Sequence, residues 1–221
     1  SDSLRSLEIG SDNILWIGSD SGLTGYNGSA WISYNNAVNN LASDKVSSIQ
    51  VSSGTILLGT NNGISSGQIN AIDNITWETP YRTDNSELIN NRINSINVDS
   101  LGTYWFCTDS GVTVIADTSW ESLSTSSNFF LSKNIVLSIN QQSTRMQYLG
   151  TENGGVSRFY YGVDGVTGAS PIQKQWTAIE PDSLARIQPG LLSDTVKATM
   201  VANNGDPWFG TQHGVSTHIG P

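Results

Sequence analysis

The chain has 221 residues, of which only 13% are charged, with Lys+Arg 10 against Asp+Glu 19 and a net charge of -9. So few cations, and no basic patch interleaved with aromatics, leave phosphates without a neutralising partner and argue against nucleic-acid binding. The apolar runs fall far short of the roughly 20 residues needed to cross a bilayer, and the single Cys107 permits neither an intrachain disulfide nor a cysteine-spaced metal site.

In chain order, the first strong signal is Ile14 to Tyr34, ILWIGSDSGLTGYNGSAWISY, two aromatic-rich runs around a short polar turn. Its first half returns as TILLGTNNGI, YWFCTDSGV, MQYLGTENGG and PWFGTQHGV. The turn glycines Gly22, Gly63, Gly111, Gly154 and Gly214 are spaced by 41, 48, 43 and 60 residues, a repeat with insertions. A second motif precedes the later copies: LASDKVSSI (Leu41 to Ile49), LINNRINSI (Leu88 to Ile96), LSKNIVLSI (Leu131 to Ile139) and LLSDTVKAT (Leu191 to Thr199). Its alternation of apolar and polar positions predicts a strand entered from a polar loop. A third motif follows each turn, a short GLTGY-type strand and then one centred on Trp31, Trp77, Trp120 or Trp176.

Each repeat therefore predicts four short strands, A to D, with B and C joined by a hairpin whose glycine supplies φ > 0. Four antiparallel strands per repeat, with no sustained helical periodicity, predict a blade of a β-propeller within an all-β single domain, 1–221. The blades fall at about 1–40, 41–87, 88–130, 131–190 and 191–221. A sheet this small cannot bury its own faces, so each blade supplies the core of the next. SDSLRSL aligns with Ser43 to Ile49, and GVSTHIGP ends after strand C, so the fifth blade is expected to lack its outer strand. Two accounts stay open: a self-standing five-bladed ring, or part of a six- or seven-bladed propeller with further blades or domains in a longer parent protein.

The combination of LxSDxVxSI, LWIGT, GLxxYNG and WxxY resembles the two-component regulator propeller repeat, and the resemblance covers nearly the whole chain. It implies an extracytoplasmic location, as in the sensor regions of hybrid histidine kinases and in propeller components associated with type IX secretion. Two departures stand out. Cys107 occupies the place of the B-strand glycine, and GISSGQINAIDNITW lacks the C-strand tyrosine, which predicts a distorted outer half in the second blade.

The residues that could carry chemistry are few. Of the two histidines, His213 lies in the last B–C turn and His218 in the last C strand, and they assemble no zinc site. The serines recur in every blade, whereas catalytic residues are singular, and Cys107 reads as a small buried core residue. Asp20, Asp109 and Glu152 share one turn position; Asp2, Asp44 and Asp194 share another before strand A. B–C turns and D–A loops leave the same face, so acids collect on one rim, either as Asx-turns or as a face for cationic partners. NNGD (Asn203 to Asp206) and DGVTG (Asp164 to Gly168) read as turns, without the alternating oxygen ligands of a calcium loop. Trp16, Trp105 and Trp208 recur in B strands and the other tryptophans in D strands, which predicts packing between blades.

Function is therefore expected where one blade departs from the rest. The D–A connections Pro80 to Asn91 and Glu180 to Leu192 are such departures, and Phe129 and Phe130 lie in another. The predicted binding residues are Tyr81, Arg82, Phe130, Arg186 and His213. The expected function is a non-enzymatic binding or scaffold propeller for a protein or carbohydrate, with no metal and no cofactor. The alternative is an enzyme similar to the streptogramin lyase-like group, a lyase or hydrolase with a site at the channel mouth, toward which the chain offers His213.

Overall fold

The structure, a computed structural model, describes residues 3–10, 13–126, 131–143, 146–160, 177–179 and 191–217. These form five small antiparallel sheets, each running in simple sequence order, and the fold is a β-propeller of five blades. The first blade contains β1 (Leu4–Ile9), β2 (Leu15–Ser19), β3 (Gly22–Tyr26) and β4 (Trp31–Tyr34). One helical turn, α1 (Asn36–Asn39), leads to β5 (Val46–Ser52), β6 (Thr55–Thr60), β7 (Gly63–Ala71) and β8 (Asn74–Trp77). The third blade holds β9 (Ile93–Val98), β10 (Tyr104–Thr108), β11 (Gly111–Ala116) and β12 (Ser119–Leu123). The fourth holds β13 (Val136–Ser143), β14 (Met146–Thr151), β15 (Val156–Tyr160) and β16 (Thr177–Ile179). The fifth has three strands, β17 (Val196–Val201), β18 (Pro207–Thr211) and β19 (Gly214–Thr217). By contact density the chain divides into two compact units, residues 1–98 and 99–221, each with its own core.

The A strands do not keep the simple alternation expected of them. Val46 and Ile49 lie three residues apart, which would put them on opposite faces of a regular strand, yet both are buried. A register shift between Val46 and Ser48 explains this, and β1, β13 and β17 repeat it at the same place. The V-x-S-I motif is thus a β-bulge in which the extra residue restores Val and Ile to one face. At the bulge of β5, Ser47 Oγ donates to the Gly59 carbonyl at 2.9 Å and is also bonded to the Ile93 carbonyl of the next blade.

In the first unit, Trp16, Leu23, Tyr34, Val46, Ile49 and Leu58 form one buried cluster shared by two blades. Tyr34 donates its hydroxyl to the Ile72 carbonyl at 2.6 Å and meets Trp77 edge-on at 5.7 Å. Burial, and secondarily Asp73, push its hydroxyl pKa up to about 12, which keeps it a neutral donor. In the second unit Trp105 meets Phe159 at 5.2 Å and Tyr148 meets Phe209 at 5.6 Å, in both cases edge-on. Cys107 lies fully buried beside Val136 in this core, its thiol pKa raised by burial, as expected of a packing residue.

The second blade is distorted in its outer half, where β7 runs nine residues and shifts register against β8 between Ile69 and Ala71. In the first blade Tyr26 stacks on Trp31 at 4.2 Å. Gly67 stands in the corresponding place, and Trp77 lies over it, 2.9 Å from where a Cβ would be.

Three expectations need correction. Trp208 and Trp31 are not core residues but are 40% and 60% exposed, because the sheet faces that carry them lack the cover their repeat equivalents receive. The turn glycine of the fourth blade is Gly155, not Gly154. Thr151 Oγ1 donates to the Gly155 carbonyl at 2.9 Å, as Thr60 does to Gly63 and Thr108 to Gly111. That turn is one residue longer, with φ of 59° at Asn153 and 72° at Gly155.

Candidate binding site

The β2–β3, β6–β7, β10–β11 and β18–β19 turns share one design. A Ser or Thr at the strand end donates its hydroxyl to the turn glycine's carbonyl and accepts the amide of the residue between them. Ser19 and Ser21, Thr60 and Asn62, Thr108 and Ser110, and Thr211 and His213 all do so, with amide distances of 3.0 to 3.3 Å. His213 therefore sits exposed at an ordinary repeat position of the β18–β19 turn.

The D–A loops are held by a second recurring bond. Asp44 Oδ1 accepts the amide of Asn36 at 2.6 Å, Asn91 Oδ1 that of Thr83 at 2.9 Å, and Asn134 Oδ1 that of Thr125 at 2.7 Å. Only a carbonyl-type oxygen is needed, which is why Asp and Asn exchange there. The bond is not the expected Asx-turn on its own backbone but a clamp across the loop. The local turn belongs to the residue before it, as in Ser43 Oγ with the Lys45 amide and Asn90 Oδ1 with the Arg92 amide.

In the first unit these turns and loops meet around a cleft of about 480 Å³. Asp20 reaches it from the β2–β3 turn and Asn61 and Asn62 from the β6–β7 turn. Asn36, Asp44 and Lys45 come from the connection into β5, and Arg82 from the connection into β9. B–C turns and D–A loops thus converge on one side, as the strand order requires. Arg82 is the keystone: its Nε donates to the Asn62 carbonyl at 3.1 Å and its Nη2 to the Ala42 carbonyl at 3.2 Å. Ser43 Oγ adds a bond to Asn61 Oδ1 at 2.6 Å. Asp20 accepts Arg5 Nε at 2.5 Å, and this bond holds the Asp20 carboxyl below its usual range while raising the Arg5 guanidinium. Tyr81, adjoining Arg82, is 37% exposed while its backbone bridges to Ile64.

Of the predicted residues, then, Tyr81 and Arg82 stand together on this rim, and His213 belongs to the second unit. Phe130 and Arg186 lie outside the described residues, as do Phe129, His218 and the Asp164 to Gly168 segment. Asn203 to Asp206 is the β17–β18 turn, closed by Gly205 N to the Ala202 carbonyl at 2.8 Å. Among the described residues no three His, Cys, Asp or Glu side chains gather. The sequence missed Asp44, Lys45 and Asn62 as a group, because each holds an ordinary repeat position and only the fold brings the connection into β5 against the β6–β7 turn.

No family model and no curated protein sequence matches the chain. Solved structures do. The extracellular domain assigned to the hybrid two-component system BT3049 of B. thetaiotaomicron superposes with a TM-score of 0.77 at 16% identity over 99% of this chain. The chain thus shares the β-propeller fold of that extracellular domain. PorZ, a surface component of the type-IX secretion system of Porphyromonas gingivalis, superposes with a TM-score of 0.63 at 14% identity over 97% of this chain. Virginiamycin B lyase from Staphylococcus aureus gives 0.61 at 14% identity over 99% of this chain. The chain spans 29% of the BT3049 domain, 32% of PorZ and 70% of the lyase. The proteins that the sequence motifs resemble are thus among those whose fold the structure shares.

Proposed function

We propose that the chain is a non-enzymatic, ligand-binding propeller of an extracytoplasmic protein, its five blades acting as one domain, and that the rim cleft of its first unit receives a carbohydrate. The observation that carries this is the cleft itself. Its walls are turns and loops already locked by Arg82, Asp44 and Ser43, so little ordering cost remains for a ligand. Protein partners are held by buried aromatic and apolar anchors, whereas this lining is Asp, Asn, Ser, Lys and Arg with Ala42 alone apolar. Such amides, carboxylates and cations match sugar hydroxyls, and Tyr81, 37% exposed, adjoins the lining residue Arg82. Fold likeness to extracellular sensor-type domains supports the setting.

A thermal-shift screen with a panel of neutral and acidic oligosaccharides tests this. At least one sugar is expected to raise the midpoint by mass action. Lys45→Ala and Tyr81→Ala should each weaken it about tenfold or more, and Gln68→Ala, bonded to Thr55 at the other end of the second blade, should not. No stabilisation by any sugar, or equal loss in Gln68→Ala, would overturn the reading. The fold shared with virginiamycin B lyase favours a second reading, a lyase or hydrolase with His213 at its site. Cleavage of a sugar that is lost in His213→Ala would establish it.

A further inference from the structure

Four asparagines stand directly before a glycine: Asn27, Asn62, Asn153 and Asn204. In such a pair the glycine's peptide nitrogen can attack the asparagine side-chain carbonyl carbon, with no Cβ on the glycine to stand in the way. The sequence makes the four pairs equal. The fold does not, because the attack needs a peptide nitrogen and a side-chain amide that other bonds do not already hold.

At Asn62 the Gly63 amide donates to the Asn91 carbonyl at 2.6 Å, and Asn62 Nδ2 donates to the Ala42 carbonyl at 3.4 Å. At Asn153 the Gly154 amide donates to the Asp194 carbonyl at 3.1 Å, and Asn153 Oδ1 accepts the Thr195 hydroxyl at 3.0 Å. At Asn204 the Gly205 amide donates to the Ala202 carbonyl at 2.8 Å, and Asn204 Nδ2 donates to Asp206 Oδ2 at 2.7 Å. All three peptide nitrogens are committed.

Asn27, in the turn between β3 and β4, is the exception. Among the described residues neither the Gly28 amide nor Asn27 Nδ2 has a hydrogen-bond partner. Gly28 has φ of 93° and open space where a Cβ would stand. Asn27 Oδ1 accepts three donors instead: the Ser29 amide at 3.1 Å, the Ser29 hydroxyl at 3.0 Å and the Ala30 amide at 2.9 Å. Donors gathered on a carbonyl oxygen stabilise the oxyanion that forms there when its carbon is attacked.

We propose that Asn27–Gly28 is a self-modifying site, where the chain converts asparagine to aspartate and isoaspartate through a cyclic imide. The Gly28 nitrogen gives its proton to solvent hydroxide and bonds to Asn27 Cγ, while Oδ1 takes up the negative charge under the Ser29 and Ala30 donors. Collapse restores the carbonyl and breaks the Cγ–Nδ2 bond, and Nδ2 leaves as ammonia with a proton from water. Water then opens the imide at either carbonyl, giving aspartate or an isoaspartate whose main chain runs through Cγ. The net reaction consumes one water and releases one ammonia. Both products add a carboxylate, and isoaspartate also adds a main-chain carbon to the turn joining Tyr26 to Trp31, whose rings stack at 4.2 Å. Asn62, which lines the rim cleft, keeps its amide.

The test ages the folded 221-residue chain in mildly alkaline buffer and maps its peptides by mass. A gain of about 1 Da marks conversion, and an isoaspartyl methyltransferase labels the isoaspartate fraction. Asn27 is expected to convert at least about tenfold faster than Asn62, Asn153 and Asn204, whose protecting bonds must open first. Its rate should rise with pH, as loss of the Gly28 proton requires. In urea the four rates are expected to converge. Conversion of any of the other three at the Asn27 rate in the folded chain overturns the proposal, and so does an Asn27 that stays intact there while the unfolded chain converts.

Discussion

Gly18 lies so close to Val46 of the next blade that a Cβ on it would sit 2.8 Å from Val46 Cγ1 and 3.0 Å from the Val46 carbonyl oxygen. The glycine of the W-I-G-T motif is therefore a packing residue, chosen because a bulged strand presses against its Cα. Gly150 stands in the same relation to Val196. Gly18→Ala and Gly150→Ala should each cost about 1–3 kcal/mol through overpacking. Gly210→Ala, whose Cβ would find only Ala198 at 3.2 Å, should cost less than about 1 kcal/mol. Urea midpoints of the three variants measure this, and equal losses would refute it.

The hairpin glycines are fixed by backbone conformation instead. Gly63 has φ of 112° and its missing Cβ points at the Tyr81 carbonyl. Gly63→Ala should lower stability by about 1–3 kcal/mol. In the fourth blade the same strain attaches to Gly155, with φ of 72°. Gly154 carries no positive φ, and a side chain there is resisted by Lys133 and Thr151 instead. Removing Lys133 beyond its Cβ should therefore soften Gly154→Ala and leave Gly155→Ala unchanged, as thermal midpoints can show.

How far the sequence could lead depends on which interactions repeat. Blade number, strand order and the hairpin turns are written five times, so Gly22, Gly63, Gly111 and Gly214 were legible from spacing. The one-residue insertion around Asn153 was invisible because the adjoining Gly154 mimics the motif. The bulge hid within an apparent alternation, since V-x-S-I contains both spacings. The rim cleft was half legible: Tyr81 and Arg82 stood out as irregular, but Asp44 and Asn62 are repeat residues recruited by position. Periodicity alone implied equal burial for every B-strand tryptophan, and Trp208 breaks that rule because burial in a propeller belongs to the neighbour.

Asp99, at the β9–β10 turn, is a buried carboxylate that no motif signalled. It accepts Trp105 Nε1 at 3.0 Å and the amides of Leu101 and Thr103 at 2.9 and 3.0 Å. Asp99→Ala strands three donors, each costing about 1–3 kcal/mol if left unpaired. A loss of at least about 3 kcal/mol is expected, with a shifted Trp105 emission. Asp99→Asn should retain part of the loss-free state by keeping one acceptor oxygen.

Glu8 on β1 gives stability a pH dependence of definite sign. Desolvation raises its carboxyl pKa above the ordinary 4.5, only partly offset by a backbone bond to Val51. A raised folded-state value means that its contribution is fully present below about 4.5 and is lost as pH rises through the folded value. Glu8→Gln should therefore stabilise the protein at pH 7 and make no difference below pH 4. Asp20 has the opposite sign, because its Arg5 bond lowers its pKa and that contribution disappears as pH falls through the lowered value. Thermal midpoints of Glu8→Gln and Asp20→Asn across pH 3 to 7 should move in opposite directions relative to the parent.

Arg82 separates architecture from recognition on the rim. Its guanidinium ties the β6–β7 turn at Asn62 to the connection at Ala42, while its backbone amide is accepted by Asn85 Oδ1 at 2.7 Å. Charge-assisted bonds to two carbonyls, at a partly exposed site, make Arg82→Met worth about 1–2 kcal/mol of stability. Lysine delivers a single point charge and cannot span both carbonyls, so Arg82→Lys should recover less than half of the loss. Tyr81 is 37% exposed and makes a backbone bridge that any residue can make, so Tyr81→Ala should cost less stability than Arg82→Met. If Arg82→Met matches the parent in stability, the keystone role fails. If Tyr81→Ala loses as much as Arg82→Met, the ring is structural.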